Sequence, residues 1–410
     1  MEYNVHTLPN GIRLLHVPAA SAISHACIIV NTGSRDEPEG KAGLAHFIEH
    51  LIFKRTEKRN TNQILNHLES VGADLNAYTT KEYTCVHASF LNPYLARTLD
   101  LFNDILFHST FPEEEMDKEK SVILDEISSY LDQPEEAIND DFEDMLFAGH
   151  ALGNNILGTT ESVQHFTRED VMNFRKANYR TSEIVVAVLG NYTLNQVVNK
   201  GSKYFADVEE NNPKKERAKP TILPPSNNTI YKPIMQSHCI LGTQAYSTHQ
   251  SQKVPLMLLN NYFGGNGMSS VLNLQIRERY GIAYTIESNF SPLSDTGIFS
   301  VYFGTDKEKQ AKALSLIFKE IKKLRNRPLN DLQLQKAKNK FIGQIALGEE
   351  NRIGLIISMA KSLIDHNQID SLETVFEKIN AVTTRQMIEV TNEILNIEQL
   401  SVFTFCPIAE

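Results

Sequence analysis

Long apolar runs are missing from this 410-residue chain: no stretch of 18 consecutive apolar residues occurs, which argues against a membrane-spanning helix. The first residues, Met1 to Gly11, lack a basic segment followed by an apolar one, so nothing there marks the chain for secretion. Basic charge is also scarce. Forty Lys and Arg against 50 Asp and Glu leave a net charge of −10, which argues against a general affinity for nucleic acid or for an anionic membrane surface. Cysteine is sparse as well: Cys27, Cys85, Cys239 and Cys406 lie far apart in apolar or alternating stretches. They suit buried free thiols in a reducing, cytoplasmic setting better than a disulfide framework.

What is present is the composition of a soluble globular protein, 41% hydrophobic and 22% charged, at a length for two to four domains. A charged, proline-bearing stretch near residues 207–227 bisects the chain and reads as a linker. The run Ser24-His25-Ala26-Cys27-Ile28-Ile29-Val30 resembles Ser237-His238-Cys239-Ile240-Leu241-Gly242, which points to a duplicated domain. Strand patterns fall near 11–17, 24–31, 82–90 and 183–189, and helical patterns over 43–53, 62–71, 93–108, 113–131 and 168–178, with Thr167 as N-cap of the last. Strands and helices intermingle without a strict βαβ rhythm, so the expected class is α+β.

The chemistry concentrates in Gly43-Leu44-Ala45-His46-Phe47-Ile48-Glu49-His50-Leu51-Ile52-Phe53, an H-x-x-E-H on a helical background. Imidazoles at i and i+4 project from one face and can share a Zn²⁺. Glu49 borders that face, where its carboxylate can take a proton from a water, the position of a general base. Such a site needs a third protein ligand. The acidic helix around Glu119-Lys120-Ser121-Val122-Ile123-Leu124-Asp125-Glu126-Ile127 offers Glu119, Asp125 and Glu126, and spacing alone does not choose among them.

With these motifs the chain resembles the M16 family of zinc metallopeptidases, the inverzincins, whose signature is H-x-x-E-H. The resemblance also covers Leu8-Pro9-Asn10-Gly11, Gly33-Ser34-Arg35-Asp36-Glu37 and Asn76-Ala77-Tyr78-Thr79-Thr80-Lys81-Glu82-Tyr83-Thr84, in the family's order. It continues through His150-Ala151-Leu152-Gly153 and Ile156-Leu157-Gly158-Thr159, residues that also suit a turn and a helix start.

By this resemblance the third ligand lies in a V-I-x-x-E-I helix and falls on Glu126, so that His46, His50 and Glu126 hold one Zn²⁺ per subunit. Glu119 then supports the site from behind, and Glu49 acts as catalytic base.

The second half has no H-x-x-E-H and is expected to be a catalytically silent copy. It carries Arg277-Glu278-Arg279-Tyr280-Gly281-Ile282-Ala283-Tyr284, similar to the family's R-x-x-x-G-[LI]-A-Y segment, which nominates Arg277 and Tyr284 as substrate-binding residues. An Arg fork and a Tyr hydroxyl suit a peptide carbonyl and an oxyanion. Asn76 and Ala77 are nominated for backbone pairing with an extended peptide, a β-augmentation.

The expected organisation is a zinc domain over 1–210, a linker over 211–226 and an inactive homologous domain over 227–410. Each domain is expected as a mainly antiparallel sheet flanked by helices, the two forming half of a clamshell. A homodimer, with its active site completed by the partner subunit, is the simplest way to finish the chamber. The expected activity is zinc-dependent endopeptidase action on peptides or unfolded segments. The other reading is a non-catalytic or partner-dependent subunit of a processing peptidase or scaffold complex.

Overall fold

The computed structural model describes residues 2–214, 216–327 and 329–408. The strands are β1 (Asn4–Thr7), β2 (Arg13–Pro18), β3 (Ile23–Val30), β4 (Asp74–Thr79), β5 (Thr84–Leu91), β6 (Ile184–Gly190), β7 (Asn227–Lys232), β8 (Ser237–Ala245), β9 (Thr285–Pro292), β10 (Gly297–Thr305) and β11 (Ser401–Pro407). The helices of the first half are α1 (Leu44–Leu51), α2 (Thr61–Glu69), α3 (Leu95–Phe107), α4 (Glu113–Leu131), α5 (Pro134–Leu146), α6 (Thr160–Gln164), α7 (Arg168–Asn178) and α8 (Leu194–Phe205). Those of the second half are α9 (Lys253–Phe263), α10 (Gln310–Asn326), α11 (Asp331–Gly348), α12 (Arg352–His366), α13 (Leu372–Asn380) and α14 (Thr384–Ile394). No helix of the described residues is long and apolar enough to cross a membrane.

The class is α+β. Among the described residues the strands form two sheets, ordered β1-β2-β6-β3-β5-β4 and β7-β11-β8-β10-β9. The order β2-β6-β3-β5-β4 is repeated as β7-β11-β8-β10-β9, down to the parallel pairs β2/β6 and β7/β11 in sheets otherwise antiparallel. The two halves are therefore repeats, and the similar runs at Ser24 and Ser237 lie on the equivalent strands β3 and β8.

Side-chain alternation explains the layering of the first sheet. On β3, Ala26, Ile28 and Val30 enter one core with α1, α2, α3 and α8, while Cys27 and Ile29 enter another with α12. Every residue of β6 is buried, as an Ile-Val-Val-Ala-Val-Leu run covered on both faces must be. The four cysteines are free and buried.

The compact units do not follow the sequence boundaries 1–210 and 227–410. The first unit comprises Met1–Ser128, Asn154–Ala218 and Gly348–Ile369; the second comprises Ser129–Gly153, Lys219–Leu347 and Asp370–Glu410. Each half thus contributes one helix to the other's sheet. Helix α12 packs Ile356, Met359, Ala360 and Leu363 on the first sheet, and α5 packs Ala137, Ile138, Phe142 and Leu146 on the second. Apolar faces reveal that a helix needs a partner, but not which sheet supplies it. The stretch 211–226 has no helix or strand, Lys215 lying outside the described residues.

Candidate metal centre

Helix α1 begins at Gly43, whose φ of +93° suits a residue without Cβ. A Cβ there would stand 2.6 Å from the Leu157 carbonyl oxygen, and one on Gly158 would stand 2.3 Å from that of Ala42, so two glycines let these segments touch. The helix start is capped by a distant carboxylate. Glu37 Oε2 accepts from the Gly43 N–H at 3.0 Å and Glu37 Oε1 from the Ala45 N–H at 2.8 Å. Burial pushes the Glu37 carboxyl up to about 8, against the opposing pull of these two N–H bonds and of Lys81. Its neighbours in the Gly33–Glu37 motif are equally engaged. Arg35 Nη1 donates to Glu82 Oε1 at 2.6 Å, and Asp36 Oδ2 receives Arg217 Nη2 at 2.8 Å.

Leu44, Ala45, Phe47, Ile48 and Leu51 anchor α1 in the core, which turns His46, Glu49 and His50 toward α4 and β4. The two imidazoles lie edge to face with centroids 4.6 Å apart. On α4, Met116 and Ile123 are buried and fix the helix rotation, leaving Asp125 exposed while Glu119 and Glu126 face α1. Glu126 Oε2 lies 3.8 Å from His46 Nε2 and 3.6 Å from His50 Nε2.

A Zn²⁺ fits this group. One ligand atom from each of His46, His50 and Glu126 lies within 4.8 Å of the others. Ligand atoms roughly 2.0–2.2 Å from one ion in a tetrahedral arrangement stand at similar separations. Two imidazoles and one carboxylate are also a donor set that zinc takes. Burial, with the neighbouring His50, pushes His46 down to about 3, so its imidazole is neutral and has a lone pair to offer at neutral pH.

His50 Nδ1 stands 3.1 Å from Glu119 Oε2, and Glu119 Oε1 stands 2.6 Å from Lys54 Nζ. Burial favours a neutral Glu119 carboxyl, but the bonds from His50 and Lys54 outweigh it and hold that carboxyl below its usual range. An ionised carboxylate only accepts, so His50 Nδ1 carries a proton and Nε2 is left to coordinate. Glu49 stands beside the donor group. Its carboxyl is raised by burial, opposed by a 2.7 Å hydrogen bond from Thr79 Oγ1 to its Oε2.

Strand β4 is an outer strand of the first sheet, paired on one side with β5. It presents Asn76, exposed, and Ala77, half-buried, and Asn76 Oδ1 accepts from the Ala77 N–H at 2.8 Å. Arg277 and Tyr284 belong to the second unit. Arg277 is exposed in the helical stretch Asn273–Glu278, and the exposed Tyr284 hydroxyl donates to Asp306 Oδ1 at 2.8 Å.

Residues 15–160 match the family described as Insulinase (Peptidase family M16), and residues 165–341 match the Peptidase M16 inactive domain. A relative from Mycobacterium leprae, named an uncharacterized zinc protease, is 30% identical over 397 residues, covering 95% of this chain and 88% of its own. The chain belongs to peptidase family M16. Other M16 relatives named as uncharacterized zinc proteases come from Streptomyces coelicolor, 31% identical over 95% of this chain and 86% of that one, and from Bacillus subtilis, 28% identical over 93% of each. The same fold is seen in a solved protease from Helicobacter pylori, with a TM-score of 0.89 at 21% identity over 99% of both chains. It recurs in a Pseudomonas fluorescens structure described as a peptidase M16 inactive domain, with a TM-score of 0.91 at 18% identity over 100% of this chain and 99% of that one.

Three side chains around this candidate centre were not legible from the motifs: Glu37 as cap of α1, Lys54 behind Glu119, and Thr79 on Glu49. Glu37 and Thr79 lay within motifs noted in the sequence, but only their hydrogen bonds reveal what they do.

Proposed function

We propose that the protein is a zinc-dependent endopeptidase that hydrolyses peptides or unfolded segments held in extended conformation. The observation that carries this reading is the convergence of His46, His50 and Glu126 on one point, with Glu49 beside them and outside the donor group. The three side chains would hold Zn²⁺, which would supply Lewis acidity for a peptide carbonyl and for a water near neutral pH.

The chain's own residues do the rest. Glu49 accepts the proton of the attacking water and passes it to the departing amine, while Thr79 keeps its carboxylate aimed. Glu119 and Lys54 hold the His50 ring in one tautomer. The free edge of β4 takes the substrate backbone as an added strand, the Asn76 carboxamide yielding the Ala77 N–H to it. By family resemblance, the active form is a homodimeric chamber in which Arg277 and Tyr284 of one subunit bind the substrate of the other's centre.

The test measures zinc by atomic absorption and the cleavage of a quenched peptide by wild type, wild type with chelator, and Glu49→Gln. We expect about one zinc per chain in wild type and in Glu49→Gln, with cleavage by untreated wild type alone. Zinc without cleavage by wild type would favour the partner-dependent subunit, and absence of zinc would end the peptidase reading.

A further inference from the structure

The first unit carries a second concave site that none of His46, Glu49, His50, Glu119 or Glu126 lines. It is a cavity of about 1170 Å³ bounded by residues of α3, α7, α8 and the segment that follows α8. Arg175 of α7 is part of its wall. One guanidinium nitrogen, Nη2, donates to the Leu106 carbonyl, while Nε is buried without a hydrogen-bond partner. The Phe111 and Tyr179 rings lie 5.0 and 5.5 Å from the guanidinium carbon. Among the described residues, no carboxylate pairs with Arg175.

That combination is unusual. Charges withdrawn from water are normally paired, and a guanidinium has five N–H donors arranged as a planar fork that matches a carboxylate. Ring faces attract the cation but do not accept its in-plane N–H bonds. The N–H donors of the half-buried Arg175 fork that no protein acceptor takes suit an oxyanion. The rest of the lining narrows its class. The four carboxylates of the lining, Asp100, Asp207, Glu209 and Glu210, balance its three lysines and Arg175, so the wall has no excess positive charge for a polyanion, which favours a single negative charge. Phe107, Tyr179 and Val208 supply apolar wall for a hydrocarbon body.

We propose that this cavity binds a small amphipathic monocarboxylate, its carboxylate taken by the Arg175 fork and its apolar body lying against the Phe107 and Tyr179 wall. The side chains of the metal centre do not line this cavity, although the charge of Glu49 reaches Tyr179, and the proposal does not depend on the peptidase reading.

Isothermal titration calorimetry on the zinc-loaded full chain tests this with three probes: phenylacetate, its uncharged isostere phenylacetamide, and inorganic phosphate. Phenylacetate should bind once per chain, with phenylacetamide and phosphate each at least about tenfold weaker, since a charge-assisted fork is lost or mismatched. Arg175→Lys, which keeps the charge but not the fork, should weaken phenylacetate by about tenfold while circular dichroism stays unchanged. Glu126→Gln, which disables the metal centre, should leave phenylacetate binding intact. Four outcomes each overturn the proposal: no phenylacetate binding at millimolar concentration, equal binding of the amide, phosphate binding as tight as phenylacetate, or loss of binding in Glu126→Gln. Should Arg175→Lys fail to fold, the probe series on wild type together with Glu126→Gln still decides.

Discussion

Thr79 Oγ1 donates a 2.7 Å hydrogen bond to Glu49 Oε2, tying the outer strand β4 to the carboxylate of helix α1 that stands outside the donor group. The strand proposed to receive substrate and the proposed base are therefore in direct contact. Movement of one is felt by the other.

Thr79→Val removes that donor at nearly constant volume. We expect kcat to fall by about tenfold, the equivalent of about 1.4 kcal/mol, with KM and zinc content unchanged and with Thr79→Ser close to wild type. Steady-state kinetics beside zinc analysis checks this. A parallel loss of zinc would instead make the hydroxyl a support of the fold.

Glu119→Gln leaves the ligands in place but removes the charge behind His50. Zinc affinity should drop by about 10–100-fold, measured by competition with a chromogenic chelator. Affinity equal to wild type would mean that the 3.1 Å contact between His50 and Glu119 has no hold on the metal.

Glu37 makes folding pH-dependent. Its carboxyl titrates near 8 when folded, against an ordinary value of 4.5, so the fold favours the protonated form. This contribution is fully present below about pH 4.5 and is lost as pH rises through about 8, an effect on the order of a few kcal/mol. Urea denaturation at intervals from pH 5 to 9 should show stability falling in wild type and a flatter dependence in Glu37→Gln. Identical slopes would contradict the assignment.

Alanine at Gly158 would place a Cβ 2.3 Å from the Ala42 carbonyl oxygen at a φ of +79°. We expect a stability loss of about 2–4 kcal/mol, because backbone oxygen cannot move aside as a flexible side chain can. Gly72→Ala is the control, since a Cβ there meets nothing within 4 Å although its φ is +72°. Equal losses in urea denaturation would assign the whole effect to φ rather than to crowding.

The homodimer reading is tested by mixing Glu49→Gln chains with Arg277→Ala chains, each expected to be inactive alone. Subunit exchange should restore up to about a quarter of wild-type activity, the statistical share of sites drawing both intact parts from different chains in a symmetric dimer. Continued inactivity after demonstrated exchange would exclude a shared site.

Much of this protein was readable without coordinates where the information is local. Two imidazoles four residues apart on an apolar-periodic segment share a helical face whatever surrounds them. Thr167 caps α7 as expected because the cap needs only its own hydroxyl and the Asp170 N–H. The expected strands and helices of the first half lie within a few residues of β2, β3, β5, β6, α1, α2, α3, α4 and α7. The recurring strand order bears out the duplication suggested by two similar runs.

Tertiary structure decided what depends on residues far apart in the chain. Glu119, Asp125 and Glu126 were equivalent by composition, and the burial of Met116 and Ile123 set the rotation of α4 that left Asp125 in solvent. The helices α5 and α12 joined the other half's sheet because an apolar face specifies burial without naming a partner. By itself the sequence determined an H-x-x-E-H helix with two imidazoles on one face and a repeated α+β architecture, since periodicity and side-chain chemistry act over a few residues. Only the folded chain placed Glu126 against both imidazoles and Thr79 on Glu49, because hydrogen bonds and donor groups depend on distances that chain separation does not encode.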